Sequence, residues 1–233
     1  MTNEISMTQA AENSIAPPLH DEILAGIREM IFTGALIGGQ RVPEKMICEQ
    51  LSISRTPLRE ALKVLASEGL LELLPNRGAR VSRLTAAEVD EMFPVMGALE
   101  GLAGEIACQR ISDDGIDEIR ALHYQMAAHH KRREFSEYFG LNQQIHENIM
   151  AATGNATLAI MYASLAARIR MARYRANFSQ SRWDQAMAEH DEILSALTER
   201  DGPRLTRVLS AHLKNTCETV KKVIFNAEAE EAP

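Results

Sequence analysis

The feature that most constrains this fold is the helical periodicity of the chain from Leu84 to Asn226, where we find no strand-like alternation. Apolar residues recur there every three to four positions, which is the spacing of amphipathic helices that bury one face. Thr85 and Glu88 form a capping-box pattern, and Ser112 can cap a second helix, so two helix starts are marked. The segment predicts six helices that end near residues 110, 130, 152, 178, 200 and 226 and pack as an all-α bundle.

The chain before this bundle predicts a different unit. Its elements are a helix at 19–33, a short helix at 43–51, a tight turn, a helix at 54–65 and a strand, turn and strand at 70–81. In the short helix, Met46, Ile47 and Leu51 are predicted to face inward. This is the order of a winged helix-turn-helix, whose third helix enters the major groove of DNA. The predicted fold class is therefore mainly α, with a winged helix-turn-helix followed by a six-helix bundle.

The third helix has two distinct faces. Ser54 or Thr56 can cap its N-terminus, and Pro57 is tolerated in the first turn. Basic side chains recur every four residues on one face and apolar ones occupy the other; they are Arg55, Arg59 and Lys63, and Leu58, Ala61, Leu62 and Leu65. Taken alone, this pattern also fits an ordinary surface helix with solvated charges. The flanking turn and hairpin favour the DNA-reading interpretation.

Composition and charge divide the chain into four segments. We predict a disordered tail at 1–16, a DNA-binding domain at 17–83, a helical domain at 84–226 and an acidic tail at 227–233. Residues 17–83 carry nine basic and eight acidic side chains, whereas the whole chain has a formal net charge of −7. The negative net charge therefore disfavours a general attraction of the chain to nucleic acid, and any DNA contact must come from a local basic patch.

The three cysteines, Cys48, Cys108 and Cys217, are far apart and lack the spacing of a disulfide framework or a zinc cluster. We expect a reducing, cytoplasmic location. The first sixteen residues lack the apolar core of a signal peptide, and no segment reaches the length of about 18 apolar residues that a membrane span needs. No membrane association is predicted.

Residues 19–83 resemble the DNA-binding domain of the GntR family of bacterial transcription regulators. The resemblance is carried by Gly34-Ala35-Leu36, Ser54 to Leu65, Glu68-Gly69-Leu70 and Arg77-Gly78-Ala79-Arg80-Val81. It implies that Lys45, Arg55, Thr56, Arg59 and Gly78 touch a double-stranded DNA operator. Arg77, at the tip of the wing, is placed to reach the minor groove or a phosphate. We predict that Arg55 and Arg59 contact base edges and that Lys45 and Thr56 hold phosphates.

Three of the predicted helices each offer an imidazole, from His146, His190 and His212, and Asn142 precedes His146 by one helical turn. Scattered histidines on bundle helices are more often core or surface residues than metal ligands. We interpret the remaining histidines as core or surface residues; they are His20, His123, His129 and His130.

Residues 84–226 resemble the FCD effector-binding domain of FadR-type GntR regulators. The matching stretches are Leu99 to Ala103, Asn142 to His146, Gly154-Asn155, Glu189-His190 with Ile193-Leu194, and His212-Leu213. Six helices resemble the VanR group more than the seven-helix FadR group. The resemblance implies that Asn142, His146, His190 and His212 bind a divalent metal such as zinc or nickel. It also implies open coordination positions for a small organic or sugar acid, and a homodimer.

Two positions depart from the pattern of this family. Asn142 stands where an Asp is commoner, and its neutral amide should bind metal more weakly but leave more positive charge for an anionic effector. Met96 stands where many relatives carry an Arg. Arg168 and Arg175 are our candidates for binding the effector carboxylate instead, although a solvated helix face is the alternative interpretation.

Three functions follow, with different weights. The leading hypothesis is a homodimeric, ligand-responsive regulator, more often a repressor in this family, that binds a palindromic operator. A DNA-binding protein with a purely structural metal site is the alternative. The hypothesis of a metal-dependent hydrolase is weak, because no motif places a general base and because an enzymatic function would not explain residues 19–83. We therefore predict that the chain is not an enzyme.

Overall fold

The computed structural model describes residues 19–176 and 180–231, with side chains for 20–173 and 180–226. The elements are α1 (Leu19–Phe32), α2 (Glu44–Gln50), α3 (Arg55–Ser67), β1 (Leu71–Leu74), β2 (Gly78–Val81), α4 (Ala86–Arg110), α5 (Asp113–Arg132), α6 (Phe135–Ala152), α7 (Ala156–Ala176), α8 (Gln180–Thr198) and α9 (Gly202–Glu231). The predicted fold class is confirmed. In the described part of the chain, six helices follow the wing, as the sequence predicts.

The first three helices and the hairpin share one apolar core. The predicted inward face of α3 is buried, and Ile27 of α1 and Ile47 of α2 are fully buried beside it. Strands β1 and β2 are antiparallel, and the chain before α2 extends this sheet because the Val42 amide donates to the Ala79 carbonyl at 2.9 Å. The inward prediction for Met46 is wrong, since its side chain is 46% exposed. Consecutive helical residues point about 100° apart, and in this short helix Ile47 takes the inward position.

Local capping fixes where several bundle helices begin. The Thr85 hydroxyl accepts from the Glu88 amide at 3.2 Å, and the Glu88 carboxylate accepts from the Thr85 amide at 2.9 Å, so the predicted capping box is confirmed. The Ser112 hydroxyl likewise accepts from the Gly115 amide at 3.1 Å. Ser54 occupies the N-cap position of α3, but no side-chain capping hydrogen bond forms there within the described residues.

Helices α4 and α9 lie against each other along much of their length. Glycine permits this close approach: a Cβ atom on Gly104 would lie 2.8 Å from Leu209 Cδ1. The Thr206 hydroxyl donates to the Gly101 carbonyl at 2.9 Å across the same contact. Helix α9 continues to Glu231, five residues beyond the end that we predict near 226.

The winged helix-turn-helix unit and the bundle meet without a break in the buried apolar side chains. One continuous cluster extends from α1 and α3 through Leu84 into α4, α7 and α9, and a second lies among α5, α6 and α8. At the junction, a cavity of 690 Å³ is lined by Arg28 and Phe32 of α1 and by Tyr162 and Arg170 of α7. Helix α7 of the bundle therefore contacts α1. No helix in the described residues is long and apolar enough to cross a membrane.

Candidate nucleic-acid interface and metal centre

The residues that we expect to touch DNA lie on α2, α3 and the wing. All six are exposed: Lys45, Arg55, Thr56, Arg59, Arg77 and Gly78. A groove of 430 Å³ separates α3 from the hairpin, and both Arg59 and Gly78 line it. The predicted cationic face of α3 is thus free of the protein core.

Glu44, the first residue of α2, contacts both sides of this groove. Its Oε2 lies 3.7 Å from Arg59 Nε. Gly78 has a φ of +80°, and a Cβ atom there would lie 2.6 Å from Glu44 Oε1. The wing can therefore approach Glu44 so closely only with glycine at position 78.

The three predicted imidazole ligands meet in the centre of the bundle. His146 of α6, His190 of α8 and His212 of α9 are all buried, and their ligand nitrogens lie within 4.8 Å of one another. Their ring centroids are 5.1 to 5.2 Å apart. Asn142, one turn before His146, is also buried, and its Oδ1 has no hydrogen-bond partner among the described residues.

Two carboxylates, the buried Glu100 and the partly buried Glu189, lie beside two of these rings. Glu100 Oε2 of α4 lies 2.9 Å from His146 Nδ1. Glu189 Oε2 of α8 is 2.6 Å from His212 Nδ1. With the ring proton on Nδ1, each imidazole keeps Nε2 as a ligand atom, which is how carboxylates commonly hold metal-binding histidines. Neither ring nitrogen of His190 has a partner in the described structure.

Each carboxylate is held in turn by a buried arginine. The Arg173 Nη2 donates to Glu100 Oε1 at 2.6 Å, and the Arg182 Nη2 donates to Glu189 Oε2 at 2.9 Å. Burial raises the pKa of Glu100, but the charges of Arg173 and His146 outweigh burial and bring the pKa to about 2. Glu100 is therefore an anion, and its charge is balanced by Arg173.

The imidazoles themselves are neutral near pH 7. Burial is the main cause that lowers the pKa of all three, and the charges of the neighbouring histidines add to the lowering for His190 and His212; the pKa of His212 falls to about 4. A neutral imidazole is the form that binds a metal. Three such rings converge, Asn142 lies one helical turn before His146, and several atoms of these residues have no partner in the described protein. These residues fit a divalent ion with nitrogen and oxygen ligands, such as zinc or nickel.

The structure places Arg168 elsewhere, which corrects its predicted role. Its Nη2 lies 2.5 Å from Glu88 Oε1, and a Cβ atom on Gly69 would lie 2.8 Å from Arg168 Cδ. Glu88 precedes Glu100 on α4 by about 18 Å of helix. Arg168 therefore belongs to the junction with the DNA-binding part, far from the imidazoles. The side chain of Arg175 lies outside the described residues.

Four residues around the imidazoles were missed in the sequence: Glu100, Arg173, Glu189 and Arg182. Glu100 and Glu189 lie in the stretches that carry the FCD resemblance, so a signal was present. Arg173 belongs to the basic run from which Arg168 and Arg175 were chosen. Arg182 has no sequence signal that separates it from a surface arginine.

Comparison with known families defines the class of protein. Residues 19–81 match the bacterial regulatory proteins of the gntR family, and residues 91–215 match the FCD domain. The chain belongs to the GntR family and has the FadR-type combination of a helix-turn-helix domain with an FCD domain. It is a DNA-binding transcriptional regulator with an effector domain.

Individual relatives agree with this class. The chain is 25% identical over 218 residues to the HTH-type transcriptional repressor RspR of Escherichia coli, covering 93% of this chain and 95% of the relative. It is 26% identical over 208 residues to the HTH-type transcriptional regulator YdhC of Bacillus subtilis, covering 89% and 93%. The structure of E. coli McbR/YncC has the same fold, with a TM-score of 0.80 and 20% identity over 89% of this chain and 99% of that one.

Proposed function

We propose that the protein is a homodimeric repressor that binds a palindromic operator and is released by a small carboxylate bound beside a divalent metal. The observation that carries this proposal is the buried set of His146, His190 and His212, with Glu100 and Glu189 orienting two of the rings. The relative RspR, which is named a repressor, supports the direction of regulation.

In this proposal, Asn142 and the three histidines hold the metal, which supplies positive charge to bind the effector carboxylate. All four donors are neutral, so the full charge of the ion is available to an anion. Arg173, with 2% exposure and bonded to Glu100, is a cation beside this set, and we propose it in place of Arg168 for binding the effector carboxylate; Arg175 stays a candidate. An acid entering the site changes the charge that Glu100 and Arg173 experience.

Helix α7 is the proposed route from the acid to the DNA. Arg173 of α7 contacts Glu100, Arg170 lies 4.4 Å above the Phe32 ring of α1, and Arg168 lies over Gly69 just after α3. A movement of α7 at Arg173 therefore displaces contacts with both α1 and the end of α3. An effector that favours one placement of α7 shifts the population of DNA-binding forms.

Each subunit of the dimer would place α3 in a major groove, so twofold symmetry produces two inverted half-sites. We assign Arg55 and Arg59 to base edges, Lys45 and Thr56 to phosphates, and Arg77 with Gly78 to the wing contact. The double-stranded operator can be found by selecting bound sequences from random DNA with the full chain. We expect the selected sequences to contain an inverted repeat. Zinc and the effector acid together should release the protein from this repeat, whereas zinc alone or the acid alone should leave the protein bound.

Arg59→Ala is expected to weaken binding to the selected operator by about 1 to 3 kcal/mol and to relax preference at one base pair of each half-site. The reason is that a guanidinium bonds guanine through two donors, which alanine cannot replace. Arg207→Ala removes an exposed arginine of α9 and is the control, with no expected loss. Fluorescence anisotropy on operator variants measures both. Equal weakening on every sequence would reduce Arg59 to a phosphate contact.

Asn142→Asp is expected to tighten zinc or nickel binding about tenfold or more, because a carboxylate is a stronger ligand than an amide. The same change should lower the affinity for the effector acid, since the added negative charge repels the carboxylate of the acid. Asn148→Asp, the same substitution on α6 away from the imidazoles, is the control. Isothermal calorimetry measures both ligands, and unchanged or weaker metal binding by Asn142→Asp contradicts this assignment of the ligands.

A further inference from the structure

The cavity of 690 Å³ between the winged helix-turn-helix unit and the bundle, here called the junction cavity, has the features of a ligand site. Small-molecule sites occupy about 300 to 1,000 Å³, are lined mainly by apolar side chains and are frequent at domain interfaces. The apolar lining of this cavity comes from α1, α6 and α7 and includes Phe32, Met150, Ala159, Ile160 and Ala163. Ile160 is 71% exposed, so an apolar molecule in the cavity would remove its side chain from water.

The junction cavity lies on a different face of α6 from the metal ligands. Gln143 and Glu147 line the cavity, and each directly follows a proposed ligand, Asn142 or His146. Consecutive helical residues point about 100° apart, so the two pairs of side chains face different neighbours. Among the described residues, the lining of the cavity includes none of the three imidazoles. A molecule in the junction cavity would therefore occupy a site of its own.

Four charged side chains line the junction cavity, and two of them neutralise each other. Arg28 donates to Glu68 through two hydrogen bonds, from Nε to Oε2 at 3.0 Å and from Nη2 to Oε1 at 2.5 Å. The other two are Glu147 and Arg170, which form no such pair with each other in the described structure. The cavity thus presents one anion and one cation to a ligand.

Arg170 is the cation, and the protein satisfies it poorly. Its Nη2 lies 4.0 Å from Glu29 Oε2, which is too far for a hydrogen bond, and its Nε is buried without a hydrogen-bond partner among the described residues. Its guanidinium carbon lies 4.4 Å from the centre of the Phe32 ring. Burial lowers the pKa of Arg170, and the charge of Glu147 opposes that lowering. A carboxylate bound to Arg170 would supply both hydrogen bonds and an opposite charge.

Glu147 is the anion. Its Oε1 accepts from Gln143 Nε2 at 2.8 Å, which holds the carboxylate at the wall of the cavity. Glu147 is close enough for its charge to raise the pKa of Arg170, yet the two side chains are not paired in the described structure, so a small molecule fits between them. An ammonium group complements Glu147, because it donates hydrogen bonds and carries positive charge.

We propose that the junction cavity binds an α-amino acid with a large apolar side chain. The carboxylate of the amino acid accepts from Arg170, and its ammonium donates to Glu147. The apolar side chain lies against Phe32 and Ile160. One zwitterion thereby balances both charges, whereas a simple carboxylic acid or an amine balances only one of them. This second ligand site does not depend on the metal or on the acid of the proposed function.

Calorimetry on the full-length protein tests this site with leucine and phenylalanine. The matched probes are isocaproate and hydrocinnamate, which lack the ammonium, isoamylamine and phenethylamine, which lack the carboxylate, and glycine, which lacks the side chain. At least one of the two amino acids is expected to bind about tenfold or more tightly than its matched probes, because a single hydrogen bond between charged groups can account for that ratio. The titrations are run with a chelator and repeated with zinc, and the affinity for the amino acid should be the same in both.

Glu147→Gln keeps the shape of the side chain and removes the charge that faces the ammonium. It is expected to lower the affinity for the better amino acid about tenfold or more, without lowering the affinity for the matched carboxylate. Glu137→Gln is the control, since it is the same substitution at an exposed position about three turns earlier on α6. Arg170→Met should instead lower the affinities for the amino acid and for the matched carboxylate together.

The outcomes separate this site from the proposed function. Amino-acid binding that requires zinc and is lost in His190→Ala assigns the amino acid to the metal and overturns the junction site. Equal affinities for an amino acid and its matched carboxylate overturn the role of Glu147 and the zwitterion. If neither amino acid binds and Ile160→Lys converts a dimer to a monomer in sedimentation, the cavity is a contact between two copies of this chain, and the proposal is overturned. None of these results alters the binding of metal to the imidazoles, which is measured separately.

Discussion

Zinc or nickel is expected to raise the melting temperature of the wild-type protein, and replacing His190 with alanine is expected to abolish that rise. His190 is fully buried between His146 and His212, and neither of its ring nitrogens is bound by the described protein. Removing one of three imidazoles should weaken metal binding more than the 10- to 100-fold, or about 1.4 to 2.7 kcal/mol, typical of residues that only support a ligand. Stabilisation by a ligand scales with the logarithm of its affinity, so the shift disappears at low metal concentration.

His129→Ala provides the matched control for this experiment. His129 lies at the end of α5, where its Nδ1 is 2.6 Å from Glu134 Oε2, away from the three imidazoles. Its loss should leave the metal-dependent shift intact. A shift that survives His190→Ala with unchanged metal affinity places the metal elsewhere in the protein.

Arg173→Met is expected to destabilise the protein by about 3 to 5 kcal/mol, the typical cost of removing one partner from a buried ion pair. Arg173 is 2% exposed and Glu100 is 3% exposed, so water cannot replace the lost cation. The pKa of Glu100 should rise, because Arg173 is the leading cause that lowers it. Urea denaturation near pH 7 measures the loss of free energy of unfolding.

Two further variants show whether charge causes this loss. Arg168→Met removes an arginine whose ion pair with Glu88 is partly exposed, and pairs of that kind contribute about 1 kcal/mol or less. Combining Arg173→Met with Glu100→Gln should recover much of the loss, because a neutral amide needs no cation. If the double variant is as unstable as Arg173→Met alone, lost packing and not the unpaired carboxylate explains the effect.

Much of the architecture was predictable because it depends on short-range patterns. Thr85 with Glu88 and Ser112 mark helix starts through hydrogen bonds within one turn, so sequence alone locates them. The buried face of α3 follows from residue spacing in the same way. The end of α9 was misjudged. Glutamates disfavour a helix C-terminus, but Ala and Glu both have high helix propensity, and the helix extends through them to Glu231.

The arginine beside the imidazoles was not predictable in this way. Arg168 and Arg173 both lie on α7, and they point about 140° apart around its axis. Which of them faces Glu100 depends on how α7 is rotated against α4, and helical periodicity does not determine that rotation. His123 illustrates the same limit. Nothing near it in the sequence separates it from a surface histidine, and only the fold brings it to Asp191.

The position of Glu44 has a consequence for how the protein searches a genome. This carboxylate lies 3.7 Å from Arg59 and against Gly78, within the surface that we assign to DNA. When the protein binds DNA of random sequence, Arg59 would leave the Glu44 carboxylate for a DNA phosphate. Because one anion replaces another, the net gain in binding free energy would be small. At a matching guanine, two directed hydrogen bonds replace the pair with Glu44. We therefore expect brief residence on non-operator DNA and a larger ratio of specific to non-specific affinity than the exposed arginines alone would give.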